Sequence, residues 1–228
     1  MEVQLQLCNP VEDTVKIWKA YRQCYHAGIV SNIQAPPYPE LCAFLVNNMM
    51  KGHLSPLEHV QLTFLVSGVS RVLTHQLVRH RIASYSQQSQ RYCRANTNAI
   101  VLPKSVQAYY GKYPDKYTNL KKVLADYHSM LASGVPQEDA RYILPEGMSS
   151  NIFITMNIRS LLHFFGERLC GSAQQEIRDM AGEMAKLVVE NYPWLRQFVG
   201  PKCLGKTDCA DGKMKLCREH IKWPVHTS

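Results

Sequence analysis

The chain has 228 residues, of which 46% are apolar, and a formal net charge of +8. This length and composition suit one sizeable domain with a hydrophobic core and exclude a disordered basic tail protein. The absence of any apolar run of about eighteen residues argues against a membrane span. The scattered single cysteines and an N-terminus without a signal-peptide pattern favour reduced thiols in the cytoplasm.

The first part of the chain is predicted to contain helices over 11–26 and 39–50, the second ending before Gly52. Strict alternation then predicts a half-buried strand through Val60, Leu62, Phe64 and Val66. After Ser67-Gly68 the spacing of apolar residues becomes helical again. We expect Arg79 and His80 to lie in the last turn of this short helix, where cations favour the helix dipole.

The second part is predicted to begin with an amphipathic helix over 120–131, followed by strands at 140–145 and 151–158 and a helix at 159–169. Ser172 and Gln175 form a capping-box pattern for a long helix that ends before Pro193. Helices and strands mix without a regular βαβ rhythm. We therefore expect one α+β (irregular α/β) domain over 1–199, with a mixed or antiparallel sheet flanked by helices.

Residues 59–114 contain no Asp or Glu but include seven Lys and Arg residues. Within this basic window, the stretch RHRIASYSQQSQRY at 79–92 places four cationic or potentially cationic groups among serines and glutamines. A solvated basic face is the plain alternative. Guanidinium groups beside hydroxyl and amide donors suit phosphate or carboxylate recognition, so we favour an anionic ligand. Composition leaves nucleotide and nucleic acid open, and neither GxGxxG nor GxxxxGK[ST] occurs.

The stretch at 79–92, in which Arg-His-Arg is followed by seven intervening residues and then Ser89, is one part of a longer pattern. In chain order, the other parts are HLSPLEH at 53–59, THQLVRHR at 74–81, ARYILP at 140–145 and MNIRSLLHFFGERL at 156–169. Together they resemble the flavin-dependent thymidylate synthases, over about residues 50–195. A short Arg-His-Arg motif alone would be weak, whereas several segments in order and at similar spacing are specific.

The resemblance implies an enzyme that makes dTMP from dUMP. It takes the methylene group from 5,10-methylenetetrahydrofolate and reducing equivalents from NADPH through FAD. The family's members are homotetramers whose active sites are shared between subunits, and we expect neither nucleic acid nor membrane as a partner. The open alternative is a non-enzymatic nucleic-acid-binding module that uses the 59–114 window.

By matching position, the resemblance assigns residues to three roles. The substrate dUMP is contacted by Gln76, Arg79, Gln87, Gln88, Ser89, Gln90, Arg91, Arg141 and Arg168. FAD is contacted by Ser55, Arg79, His80, Arg81, Gln87, Asn157, Arg159 and His163. The residues matching catalytic positions are Arg168, beside N3 of the pyrimidine, the motif serine Ser89, and His53, which matches a histidine of folate and flavin handling.

Some of these residues have plainer interpretations. His53 could be a loop histidine beside a proline turn, and Ser89 a hydrogen-bonding turn residue. Arg159 and Arg168 are two and a half helical turns apart and face nearly opposite directions, which requires two ligands or two subunits.

The chain also departs from the family's pattern at three positions. Gln87 stands where many members have Glu, His163 where Asn is common, and Ser172 where some relatives have His. These departures affect the expected geometry of the flavin site more than the family resemblance itself.

The segment 200–228 is expected to be a basic, cysteine-containing extension. Its possible metal ligands are Cys203, Cys209, Cys217 and His220. Their spacing does not match the paired knuckles of zinc sites, so we predict no metal.

Overall fold

The structure, a computed structural model, describes residues 1–96, 98–203, 209 and 212. Its sheet has four strands in the order β1-β2-β4-β3, namely β1 (Glu2–Leu5), β2 (Gln61–Ser70), β3 (Ser84–Gln87) and β4 (Ser149–Asn157). Met1 lies against Gly68, and the amide of Gln6 bonds to the carbonyl of Thr63, so β1 and β2 are antiparallel. The prediction of an α+β fold is confirmed.

The helices are α1 (Pro10–Gln23), α2 (Tyr38–Met50), α3 (Arg71–Leu77), α4 (Lys104–Lys112), α5 (Pro114–Ala132), α6 (Gln137–Ala140), α7 (Ile158–Arg168) and α8 (Gln175–Asn191). Short 3-10 helices span Val30–Asn32, Ser55–His59, Arg141–Ile143 and Pro193–Phe198. No helix among the described residues is long and apolar enough to cross a membrane.

The chain packs as two compact units. Unit 1 comprises Met1–Glu2, Val66–Arg79 and Tyr85–Phe153, and unit 2 comprises Val3–Leu65, His80–Ser84 and the described part of Ile154–Ser228. In unit 1, α3 and α5 bury Leu73, Leu77 and Tyr127 completely.

The core of unit 2 comes from α1, α2, α7 and α8. These helices bury Ile17, Leu45, Phe164, Phe165 and Met184, each with no exposed surface. The amphipathic faces of these helices therefore fix the backbone of α7, which carries several predicted site residues.

Most of the predicted helices and strands are confirmed, but four predictions were wrong. Helix α3 ends at Leu77, whose carbonyl accepts the Tyr85 hydroxyl at 2.9 Å, so Arg79 and His80 lie beyond the helix. Strand β2 continues through Gly68 to Ser70 because this glycine adopts a φ of 70°, which also delays the start of α3.

The segment ARYILP is not a strand. Helix α6 begins after Pro136 and continues into the 3-10 turn Arg141–Ile143, which places the buried Ala140 inside a helix. The capping-box prediction is also wrong, because the side chain of Gln174 caps α8 by accepting the Ile177 amide. Of the proposed C-terminal metal ligands, Cys217 and His220 lie outside the described residues.

Candidate active site

The predicted site residues divide between the two units. Unit 1 carries most of the predicted substrate residues: Gln76, Arg79, Gln87, Gln88, Ser89, Gln90, Arg91 and Arg141. Unit 2 carries the predicted catalytic residues Arg168 and His53 and most of the predicted flavin residues: Ser55, His80, Arg81, Asn157, Arg159 and His163.

Unit 1 contains a cavity of about 380 Å³ beside the loop that follows β3. Three predicted substrate residues, Gln88, Ser89 and Gln90, line this cavity. Residues 93–96 and the start of β4 at 149–151 complete most of the lining, which is rich in amide, hydroxyl and guanidinium groups. Such a cavity suits a small polar ligand with several hydrogen-bonding groups.

Backbone hydrogen bonds hold the loop at both ends. The amide of Gln88 donates to the carbonyl of Asn151 at 2.9 Å, which attaches the start of the loop to β4. Ser89 closes a turn, because its hydroxyl oxygen accepts the Arg91 amide at 3.1 Å and its carbonyl accepts the Cys93 amide at 2.9 Å. The turn-residue interpretation of Ser89 is therefore correct for its oxygen, while its hydroxyl proton is not used in these two contacts.

Two of the arginines predicted to contact dUMP share one partner residue. Arg91 donates from Nε at 2.9 Å and from Nη2 at 2.6 Å to the same carboxylate oxygen of Glu138. Arg141 donates from Nε to the backbone carbonyl of Glu138 at 3.0 Å. The hydrogen bond to Glu138 raises the pKa of Arg91, so this side chain is fully cationic. Unit 1 thus brings two cations to Glu138 of α6.

The remaining predicted residues of unit 1 lie at the end of α3 and at the end of β3. Gln76 is half-buried in α3, and Arg79 is exposed just beyond that helix. Gln87 is the last residue of β3, and its amide nitrogen donates to the hydroxyls of Thr74 and Ser150.

In unit 2, Arg168 at the end of α7 donates from Nε to Nε2 of His80 at 2.9 Å. The ring of His80 also lies edge-on to Phe164, with centroids 5.0 Å apart, and 6.2 Å from the ring of His163. Burial, reinforced by the charge of Arg168, lowers the pKa of His80 to about 4. At neutral pH, His80 is therefore an uncharged acceptor for Arg168.

The opposite end of α7 carries a second group of predicted residues. The side chain of Asn157 caps the helix by accepting the Ser160 amide at 2.8 Å, a contact that typically contributes about 1 kcal/mol. The first turn of the helix places Arg159 against Glu58, with 2.5 Å between Nη1 and Oε1. Ser55 starts the 3-10 helix that contains Glu58. Arg159 and Arg168 thus lie on one helix and have different partners.

His53 and Arg81 expose their side chains in unit 2. Burial raises the pKa of Tyr21 to about 12, so the Tyr21 hydroxyl stays protonated and donates to the carbonyl of His53. This bond fixes the backbone of the loop after α2 and leaves the imidazole exposed.

Sequence reasoning missed several residues that the structure places beside the predicted ones. Arg94, Asn96 and Asn151 line the cavity, and Glu138 holds both arginines. Arg94 belongs to the basic window and could have been found by its charge. Glu138 lies 47 residues from Arg91, and no local sequence pattern predicts that they pair.

The family model described as "Thymidylate synthase complementing protein" matches residues 6–194. A flavin-dependent thymidylate synthase from Nitratidesulfovibrio vulgaris is 38% identical over 229 residues, covering 92% of each chain. One from Geobacter sulfurreducens is 44% identical over 199 residues, covering 86% of this chain and 85% of its own. One from Pyrococcus abyssi is 44% identical over 176 residues, which cover 72% of this chain and 70% of the relative.

The chain therefore belongs to the family of flavin-dependent thymidylate synthases. This confirms the resemblance found in the sequence and the prediction of a flavin-dependent enzyme. The comparisons give no support to the alternative of a nucleic-acid-binding module.

A solved structure with the same fold is that of a UMP/dUMP methylase PolB from Streptomyces cacaoi, bound with 5-Br dUMP. Its TM-score is 0.72 at 24% identity, over 85% of this chain and 92% of that one. This similarity supports the fold.

Proposed function

We propose that the chain converts dUMP to dTMP, with 5,10-methylenetetrahydrofolate as the carbon donor and NADPH as the reductant through FAD. The observation that carries this proposal is the family match over residues 6–194, which includes every predicted site residue from His53 to Arg168. The polar cavity beside the loop after β3 supports it, because dUMP offers a phosphate, a sugar hydroxyl and a polar ring.

The loop after β3 and helix α6 are proposed to bind the nucleotide. Arg91 and Arg141 would grip the phosphate, since guanidinium groups match phosphate oxygens in shape and charge. Ser89 would donate its hydroxyl proton to the nucleotide, because the Arg91 amide uses only a lone pair of its oxygen. Gln88 and Gln90 line the same cavity, and Gln76 and Arg79 complete the proposed set of substrate residues.

Arg168 is proposed to act on the pyrimidine ring. Methylene transfer at C5 or hydride addition at C6 moves negative charge into the N3–C4–O4 amide of the ring. A guanidinium placed there stabilises that charge without giving up a proton. The neutral ring of His80 supports this role, because it orients Arg168 without neutralising it.

The flavin is proposed to be held by Ser55, Arg79, His80, Arg81, Gln87, Asn157, Arg159 and His163. This donor set fits an anionic dinucleotide, since it combines exposed arginines with imidazole, hydroxyl and amide groups. When bound, FAD supplies the hydride that the reductive methylation requires. The exposed imidazole of His53 would meet folate and flavin from the loop after α2.

We propose a homotetramer with sites shared between subunits, working in the cytoplasm. Large apolar side chains near the predicted site residues support an assembly: Ile82, Tyr92 and Tyr142 are 73%, 79% and 83% exposed. Light scattering should give a mass of four chains. An active monomer would contradict this proposal.

The proposed activity is tested by incubating the purified, flavin-loaded protein with dUMP, methylenetetrahydrofolate and NADPH. We expect dTMP to form, and to be lost when any one of the three is left out. Release of FAD on denaturation is the independent check of the cofactor. A flavin-free protein that makes no dTMP and binds nucleic acid in a steeply salt-dependent manner would instead restore the nucleic-acid alternative.

A further inference from the structure

Gln87 makes two hydrogen bonds to hydroxyl groups inside unit 1. Its amide nitrogen donates to Oγ1 of Thr74 and to Oγ of Ser150, both at 3.1 Å. Thr74 is completely buried and Ser150 is only 4% exposed. Buried hydroxyls need partners, so these two groups constrain which side chain can stand at position 87.

The direction of the bond to Thr74 follows from counting protons. The Thr74 hydroxyl has a single proton, and it donates that proton to the carbonyl of Arg71 at 3.0 Å. Towards Gln87 it can therefore only accept. The group that faces it must be an N–H donor, so the nitrogen of the Gln87 amide points to this side.

We propose that Gln87 is a positioning residue that anchors the loop after β3, and that this position requires a neutral amide in this chain. The proposal rests on the proposed function in one respect, namely that the anchored loop at 88–91 binds dUMP. A carboxylate at position 87 has no proton to donate to Thr74. Its oxygen lone pairs would instead face the lone pairs of the Thr74 hydroxyl. It would also bring negative charge next to a loop that must hold a phosphate.

The same count restricts what Gln87 can offer a ligand. Both amide protons are used by Thr74 and Ser150, so only the carbonyl oxygen remains for a bound molecule. Gln87 can therefore meet a donor, such as a sugar hydroxyl or a ring N–H. It does not meet the phosphate, which falls to Arg91 and Arg141.

The test is a double-mutant cycle with Gln87→Glu and Thr74→Val. Gln87→Glu is expected to raise the KM for dUMP about tenfold, with a smaller change in kcat, and to lower the free energy of unfolding. In the Thr74→Val background the loss of stability caused by Gln87→Glu should shrink, because the mismatched acceptor is gone. Asn119→Asp, the same change from an amide to a carboxylate at an exposed position of α5 in unit 1, is the control and should leave the KM for dUMP unchanged.

Two outcomes would overturn the proposal. One is a Gln87→Glu enzyme with unchanged KM and unchanged stability, and the other is a stability loss that is equal in both backgrounds. If Thr74→Val does not fold, Ser150→Ala gives an equivalent cycle through the second hydroxyl. The unfolding measurements need no substrate, so failure of the proposed enzymatic activity would remain distinguishable from failure of this anchor.

Discussion

The two units hold their functional arginines in different ways. In unit 1, Arg91 is bound by the carboxylate of Glu138, and both side chains are about half exposed. In unit 2, Arg168 is bound by His80, an imidazole that burial keeps uncharged. A phosphate can replace a carboxylate on an exposed arginine, whereas His80, as an uncharged acceptor, adds no negative charge beside Arg168. The proposed function accordingly assigns ligand binding to Arg91 in unit 1 and charge stabilisation to Arg168 in unit 2.

Arg168→Ala should produce the largest effect. If its charge is felt mainly in the transition state, kcat at saturating dUMP should fall by about 10- to 150-fold, while NADPH still reduces the flavin. Arg141→Ala is the matched change in unit 1 and should mainly raise the KM for dUMP. Steady-state kinetics of both variants checks the difference. An Arg168→Ala enzyme with raised KM and intact kcat would remove the assigned division of roles.

The pH dependence of stability should show whether His80, the partner of Arg168, is uncharged in the folded protein. The pKa of His80 falls from 6.5 in the unfolded chain to about 4 in the fold, so between these values the unfolded chain binds the extra proton. The contribution of His80 is therefore fully present above pH 6.5 and is lost as the pH falls towards 4.

His80→Gln keeps an acceptor for Arg168 but cannot titrate. The decrease in melting temperature from pH 7.5 to pH 5 should therefore be smaller than in the parent protein, by about 2 °C. His59→Gln, at an exposed histidine of unit 2, serves as the control and should leave the full decrease. Identical pH profiles for His80→Gln and the parent would contradict the buried, neutral state of His80.

Glu138→Gln tests how the carboxylate partner of Arg91 affects the binding of dUMP in unit 1. Glu138 occupies the Nε–Nη2 edge of Arg91, the same edge that would chelate a phosphate, so removing its charge should lower the KM for dUMP about two- to fivefold. The gain should vanish in the Arg91→Ala background. A raised KM would instead mean that Glu138 orients Arg91 for the phosphate.

Cys93→Ala should have the smallest effect. Cys93 is exposed and lines the cavity, which makes it a tempting nucleophile. The proposed reaction takes its hydride from reduced FAD and needs no cysteine, so the variant should keep substantial activity. Complete loss of dTMP formation in a folded, flavin-loaded Cys93→Ala protein would show that this thiol takes part in the chemistry.

The sequence predicts well what depends on local pattern. The helices α1, α2, α5, α7 and α8 and the strands β2 and β4 follow from apolar spacing, because each buries one face. The strands β1 and β3 have only four residues each, too few for a distinct alternation. Helix α4 buries none of its residues, so it has no apolar face to detect.

The candidate site shows the same limit. The motifs predict which side chains form the site, and the structure adds their partners, which lie far away in the sequence. Arg168 meets His80 across 88 positions, and Gln87 meets Ser150 across 63. Such pairs depend on tertiary packing and leave no periodic trace in one sequence.

Hydrogen–deuterium exchange of the flavin-loaded protein, with and without saturating dUMP, tests the placement of the nucleotide most directly. Residues 88–90 and 93–96 of the segment 87–96, together with the start of β4 at 149–151, line the proposed binding cavity. Exchange should slow at these segments when dUMP is added, and the effect should weaken in Arg141→Ala. Protection confined to other parts of the chain, with exchange at 87–96 unchanged, would contradict the assignment of unit 1 as the nucleotide-binding region.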